Sequence, residues 1–427
     1  MAGEWRNHKV SEFADVVGGG TPRTNVAANF GGGIPWITPK DLSRSHGRFI
    51  DGGERSLTQE GLSASGARLL PKGAVLVSSR APIGLTAIAA VPLSTNQGFR
   101  SLVVKPPHNA LFIYYLISSS VDYLERVSVG STFKELPGGV FRELIFDLPH
   151  PDTQRSIANL LGSLDDKIEL NRQMAATLED MARALFNSWF VDFDPVHAKA
   201  EGRDTGLPAD IASLFPNNFD DEGLPSGWKS GSLDDFADTN SESWKASAHP
   251  DVIEYVDLSN CKWGKIEGVS TYSWDEAPSR ARRVARTGDT IFGTVRPGNG
   301  SYAYVGRDGL TVSTGFAVLR PKAKQYREIV YFAATAIDNI RWLEQLAAGH
   351  GGAYPAVNPD KVSATTVIVP GDRVAKAFAA ATAGMIGRIE TLKQESAELE
   401  QMRDALLPKL LSGELRVADA ESVIAAA

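Results

Sequence analysis

A single cysteine, Cys261, in 427 residues excludes an internal disulfide framework and any cysteine-rich metal site, and fits a reducing compartment. No uninterrupted apolar run approaches the ~20 residues that span a bilayer, and the N-terminal MAGEWRNHKV has no apolar signal core. A soluble, cytoplasmic chain with no membrane partner is expected. His8, His46, His108, His150, His197, His249 and His350 show no metal-ligand spacing. The clusters Gly18–Gly20 and Gly31–Gly33 do not continue into Gly-Lys-Ser/Thr, so no Walker A site is present; they read as flexible turns. No Asn-Pro-Pro-aromatic motif marks an adenine methyltransferase, and no serine or cysteine triad can be assembled. Pro151-Asp152 followed by Asp165-Asp166-Lys167 matches the spacing of a metal nuclease. Such carboxylates must converge on one ion, whereas here one lies in a proline-flanked turn and the others open a heptad helix.

What is present is enough chain for two or three domains, with an ordinary globular composition of 43% hydrophobic and 22% charged residues. The net charge of −7 argues at first against a nucleic-acid partner, but distribution matters more than sum. Residues 1–150 carry 15 basic and 12 acidic residues, residues 192–222 two and eight, and residues 386–427 five and eight. The acid is concentrated in two segments and the remainder is slightly basic. A DNA-binding surface is permitted.

The chain repeats itself once. IELNRQMAATLEDMARALFNSWF (168–190) aligns without a gap on IETLKQESAELEQMRDALLPKLL (389–411), matching Ile168 with Ile389, Leu178 with Leu399 and Leu185 with Leu406. Upstream, with gaps, IPWITPKDLS resembles VIEYVDLSN, ARLLPKGAVLVSSRAPIG resembles RRVARTGDTIFGTVRPGNG, and STNQGFRSLVVKP resembles VSTGFAVLRP. Each half is read as a globular segment followed by one long helix. AVLVSS (74–79), TIFGTV (290–295), RSLVVK (100–105) and FAVLRP (316–321) read as short buried strands. Residues 110–127 and 327–346 have helical period. The expected class is α+β.

In the first long helix Leu161, Leu164, Ile168, Asn171, Ala175, Leu178, Ala182 and Leu185 alternate steps of three and four; in the second, Met385, Ile389, Leu392, Ser396, Leu399, Arg403 and Leu406 do so. These are heptad seams. A lone helix of this kind needs a partner for its apolar stripe. Either the two helices pair, antiparallel, about an approximate two-fold axis with Leu178 and Leu399 meeting near the middle, or each packs on its own globular segment. As helix, residues 165–190 span roughly 39 Å, close to the roughly 34–36 Å turn of B-DNA. A paired rod would then hold two readers about one DNA turn apart.

FNSWFVDFDPV (186–196), LLPKLLSGELRV (406–417), LVSSRAPIG (76–84) and LPHPDTQRSIANLLGSLDDKIELN (148–171) resemble the specificity subunits of type I restriction–modification systems. That resemblance covers nearly the whole chain. It implies two target-recognition domains (1–150 and 223–370), two conserved helices (151–191 and 371–417) forming an antiparallel coiled coil, and a pseudo-two-fold repeat. Residues 192–222 read as an acidic surface linker. It also implies duplex DNA with a split target as partner, a non-catalytic role, docking of modification subunits, in two copies, and of restriction subunits. S-adenosylmethionine, ATP and Mg²⁺ would be bound by those partners, and no cofactor by this chain. The second half departs from the family pattern at VRPGNGS (295–301) and GGAYPAVNPDK (351–361).

For DNA contact the candidates are loop residues with donors: Lys40, Arg44, Ser79, Arg80, Asn96, Gln97, Thr132 and Lys134 in the first half, and Arg280, Arg282, Arg283, Arg296, Thr314 and Tyr354 in the second. Arg reads guanine bidentately and Asn or Gln reads adenine, while any of them can grip phosphate instead. Arg80 and Arg296 rank first because both follow a strand end in the repeated block. The helix-pairing and partner-docking candidates are Leu164, Ile168, Leu178, Leu185, Trp189, Phe190, Ile389, Leu392, Leu399 and Leu406. Trp189 and Phe190, with Phe193 and Pro195, form an apolar knot that is either a plug over the helix end or a docking surface. The rival function is a two-armed coiled-coil adaptor that binds proteins and no DNA.

Overall fold

The structure is a computed structural model and describes residues 5–44, 47–130, 134–349 and 355–426. It is α+β and divides into two compact units, Met1–Gln173 with Lys393–Ala427, and Met174–Leu392. The division cuts both long helices, so each unit holds part of both.

In the first unit a five-stranded sheet runs in the order Ala14–Gly18, Arg100–Val104, Val75–Ser79, Ile83–Ala89, Phe49–Ile50. All five residues of Val75–Ser79 are buried, as expected of a strand covered on both faces. The second unit holds two four-stranded sheets. One is ordered Ala237–Thr239, Phe316–Pro321, Thr290–Gly293, Tyr302–Tyr304, the other Ser270–Ser273, Val252–Val256, Leu310–Ser313, Ala281–Ala285.

The helical segment expected at 110–127 is two helices, Ala110–Ser118 and Val121–Val127; its counterpart is Arg327–Ala334 and Ile337–Gly349. The cause is the same in both. Hydroxyls of Ser118 and Ser119 donate to the Tyr115 carbonyl, and that of Thr335 donates to the Tyr331 carbonyl, competing with the helical N–H groups. The tyrosines then reach the first long helix: Tyr115 donates to Asp165 (2.5 Å) and Tyr331 to Glu179 (2.9 Å).

The long helices are Pro151–Phe190 and Asp372–Leu411, 40 residues each. The first begins ten residues before the heptad seam, with Pro151 at a first-turn position where its missing N–H is harmless. Within the first unit Asp165 pairs with Arg403 (2.7 Å) and Arg172 with Glu400 (2.7 Å), and Leu161, Leu164, Leu406 and Leu410 share a core. Within the second unit the ring of Phe378 lies 5.0 Å from Phe190 and 5.7 Å from Trp189, and Ala182 shares a core with Ile386 and Ile389. Numbering rises along one helix as it falls along the other, so the pairing is antiparallel. Leu164, Ile168, Ile389, Leu392 and Leu406 are buried. Leu178 and Leu185 pack on the second unit's core and Leu399 on the first's. Within the first unit, with Arg172 opposite Glu400, Leu399 lies alongside the turn that carries Arg172. Asn171 is a fully buried polar member of the seam whose amide has no hydrogen-bond partner, the kind of residue that fixes coiled-coil register.

Residues 192–222 are not a solvated linker. They form helices Asp194–Ala200 and Ala209–Ala212, and Val196, Ala198 and Phe215 are buried. Phe215 meets Trp189 edge-on at 5.0 Å. The acidic residues had masked an apolar face that closes over the helix end. Trp189 and Phe190 are 1% and 4% exposed, which makes the aromatic knot a plug and removes both from any docking surface.

Candidate nucleic-acid interface

In each unit one strand end is fixed by the same pair of main-chain hydrogen bonds. The Ser79 N–H donates to the Gly98 carbonyl (2.7 Å) and its own carbonyl accepts from Leu136 (2.9 Å); the Thr294 N–H donates to Gly315 (2.8 Å) and its carbonyl accepts from Val357 (2.9 Å). Two residues on, Ala81 (φ 51°) and Arg296 (φ 48°) are left-handed, each before a proline. Non-glycine residues hold such a conformation, at roughly 1–3 kcal/mol, only where their surroundings over-determine it, and these sites cluster where proteins bind ligands. By this alignment Arg296 corresponds to Ala81, and Arg80 to Val295. The two arginines singled out from sequence are one register apart.

Around the first strand end, the Asn96 N–H donates to the Ile37 carbonyl (3.0 Å), and the Asn96 side chain accepts from Gly98 N–H (2.9 Å). Gly98 lies against Pro39, which brings the helix Pro39–Arg44 to this loop. Lys40 there is exposed and pairs with Glu54 (2.7 Å). Gln97 and Lys134 are exposed, and the Gln97 side chain accepts from the Thr21 hydroxyl. Arg80 stands 3.8 Å from Glu135, which is held more tightly by Arg100 at 2.9 Å. Glu135 thus leaves Arg80 loosely tethered. Gly19 faces the carbonyls of Thr95 and Asn96, with no space for a Cβ; this glycine serves close backbone approach, not flexibility.

Around the second strand end, the Thr314 N–H donates to the Arg280 carbonyl (2.9 Å), and Arg296 and Thr314 are exposed. Arg280 pairs with Asp257 (2.6 Å) and donates to the Tyr255 hydroxyl (3.1 Å). These partners hold its guanidinium above the usual arginine range.

Not every candidate reaches this surface. Ser79 is fully buried and its hydroxyl has no partner, because the side chain points into the sheet. Arg282 lies 4.3 Å over the Trp274 ring, which itself stacks on His249 at 4.0 Å. Arg283 is half-buried, and burial pushes its pKa down. Arg44 closes its helix, with a side chain outside the described residues; Thr132 and Tyr354 also lie outside them.

Sequence reasoning missed Arg100 and Glu135, Tyr255 and Asp257, and a basic cleft of about 270 Å³ lined by Arg286, Arg320, Lys322, Lys324 and Arg327. That cleft lies at the other end of the strands Thr290–Gly293 and Phe316–Pro321. Glu242 accepts from Arg286 (2.7 and 2.5 Å) and Arg320 (2.8 Å) there. Those hydrogen bonds, Arg286 first, depress the Glu242 pKa from 4.5 to about 2. A carboxylate depressed on folding contributes stability above its unfolded value and loses it as pH falls through the folded one. The second unit should therefore lose thermal stability between about pH 4.5 and pH 2, and Glu242→Gln should flatten that stretch of the midpoint-versus-pH curve. An unchanged curve would show that the network contributes nothing.

The nuclease-like carboxylates do not converge. Asp152 and Asp165 lie on one continuous helix, roughly 20 Å apart at ~1.5 Å per residue. Asp152 pairs with Arg155, and Asp165 is engaged by Arg403 and Tyr115. Among the described residues no group of three or more His, Cys, Asp or Glu could hold a metal ion, and no helix is long and apolar enough to cross a membrane.

Residues 2–180 match the family model for the type I restriction modification DNA specificity domain. The chain is 30% identical to the type I restriction enzyme MjaIX specificity subunit of Methanocaldococcus jannaschii, over 97% of this chain and 94% of that one. It is 25% identical to the HindI specificity subunit of Haemophilus influenzae, over 74% and 80%. Its fold matches the crystal structure of a type I S subunit from M. genitalium, with TM-score 0.56, 14% identity and 96% of each chain covered. With two α+β units, the duplicated strand-end geometry and the antiparallel helices, the chain belongs to the specificity subunits of type I restriction–modification enzymes.

Proposed function

We propose that each unit reads one half of a split target on duplex DNA through the loops at its fixed strand end. The chain thereby directs modification and restriction subunits and performs no chemistry itself. The observation that carries this reading is the repetition, in both units, of the Ser79/Thr294 hydrogen-bond pair with a left-handed residue beside it. A duplicated frame with different donors, half-buried Arg80 and exposed Gln97 and Lys134 in one and exposed Arg280, Arg296 and Thr314 in the other, suits two readers of different sequence. The long helices serve as spacer and as scaffold for two modification subunits, which bring S-adenosylmethionine, while restriction subunits bring ATP and Mg²⁺. The cytoplasm is where this assembly acts.

The test is duplex binding by the assembled complex as a function of salt. Neutralising phosphates releases counterions, so log affinity should fall linearly with log salt, with a slope of about −0.9 per phosphate contacted. A two-armed protein adaptor gives no such slope, and its absence would overturn the DNA reading. Within it, Arg80→Ala should weaken target binding by about 1–3 kcal/mol and relax preference at one base pair. A uniform loss across all sequences would reassign Arg80 to phosphate.

A further inference from the structure

Resting on that DNA reading, we propose that Trp263, at the tip of a hairpin in the second unit, is a duplex-DNA contact that enters a groove beside the Arg296 loop. The hairpin consists of Cys261–Lys262 and Lys265–Ile266, with Cys261 opposite Ile266 and Lys262 opposite Lys265. Its two-residue loop is Trp263 (φ 43°) and Gly264 (φ 83°). Positive φ at both central positions defines a type I′ turn, whose preferred pair is Asn-Gly. A bulky ring at the first position opposes the local rule. Gly264 has a packing reason to be there, since a Cβ would strike the Tyr331 hydroxyl. Trp263 has none of comparable force, because it is 54% exposed.

The ring is nevertheless held in place. The Trp263 N–H donates to the Gly300 carbonyl at 2.6 Å. The indole lies on Gly300, where any Cβ would come within 2.5 Å of it, and meets Tyr302 edge-on at 5.9 Å. One part of the ring is clamped and the rest stands in solvent. Three cations stand near it: Lys262 and Lys265 flank the turn, Lys262 reaching the Asn299 carbonyl (3.5 Å), and Arg296 precedes the short helix Pro297–Asn299 on which the hairpin rests; the carboxylates of Glu179 and Glu344 lie against Gly264 and Gly298. A pre-positioned aromatic flanked by two lysines suits the polyanionic backbone with bases behind it, where rings wedge or stack. An acidic or apolar protein surface lacks the second half of that match. The turn Arg296–Gly300 that carries the ring also carries Arg296, and beside it the Thr294 N–H donates to Gly315, next to Thr314, so one bound duplex can meet both.

Asn in place of Trp263 creates the favoured Asn-Gly turn, which separates folding from binding. In the assembled complex W263N should keep or raise the thermal midpoint, yet lose about tenfold or more in affinity for the target duplex, in line with the loss of one aromatic–base contact. W263F should retain most of the affinity. Wild-type affinity in W263N would overturn the proposal. Because that variant also loses the contact with Gly300, hydroxyl-radical footprinting of the unmutated complex gives an independent reading. Target DNA should protect Trp263 from oxidation. Unchanged oxidation, or protection already complete once the modification subunits bind and before DNA is added, overturns it. Failure of the parent reading looks different, because wild-type binding would then show no salt dependence at all.

Discussion

Deleting one heptad from each long helix, residues 169–175 and the facing 393–399, should abolish methylation at the native target while leaving both globular parts folded. Seven residues keep the seam in phase and remove about 10 Å of rod at ~1.5 Å per residue. That distance corresponds to about three base pairs at ~3.4 Å each. If the rod sets the gap, the reading loops no longer meet both half-sites at once, and any residual methylation should move to a target whose gap is shorter by about that amount. Methylated-base sequencing of cells carrying the variant measures this directly. Deleting 169–175 alone should unfold the coil, since it removes Arg172 from its pair with Glu400 and leaves seven residues of the second helix with no facing turn. Unchanged methylation at the native gap would refute the spacer role of the helices.

Phe378→Ala should cost the second unit about 3–5 kcal/mol, as expected for a fully buried aromatic. Phe378 is 0% exposed, and its ring lies within 6.4 Å of Phe186, Trp189, Phe190 and Phe332. It is where the second long helix locks against the end of the first and against the globular part of its unit. Aromatic pairs of this kind add about 0.5–1.5 kcal/mol beyond buried area, so the loss should sit at the upper end. Denaturant unfolding should show the second unit melting before the first, and the DNA contact proposed for Arg296 should be lost while that proposed for Arg80 persists. A loss below about 1 kcal/mol would mean that the aromatic cluster is not what secures this unit.

The repeat was the most legible feature of the sequence, and the structure explains why. What recurs is main-chain geometry, and the apolar and glycine positions that enforce it, Gly98 and Gly315 among them, survive as pattern. The heptad seams were legible for the same reason. What stayed hidden depends on register or on tertiary contact. That Arg172 stands opposite Glu400 turns on how two helices slide, which no single stripe encodes. The plug formed by residues 192–222 was concealed because its eight acidic residues outnumber the few aromatics that do the packing. Ser79 read as a loop donor although it is the last residue of a fully buried strand. Trp263 went unnoticed because its oddity lies in a backbone angle.

The most direct test of a two-part DNA reader is sequencing of DNA methylation in the host with and without this gene. The account predicts one motif that vanishes on deletion, made of two short defined blocks separated by a fixed run of unspecified bases. Loss of a contiguous motif, or no change in methylation, would contradict it.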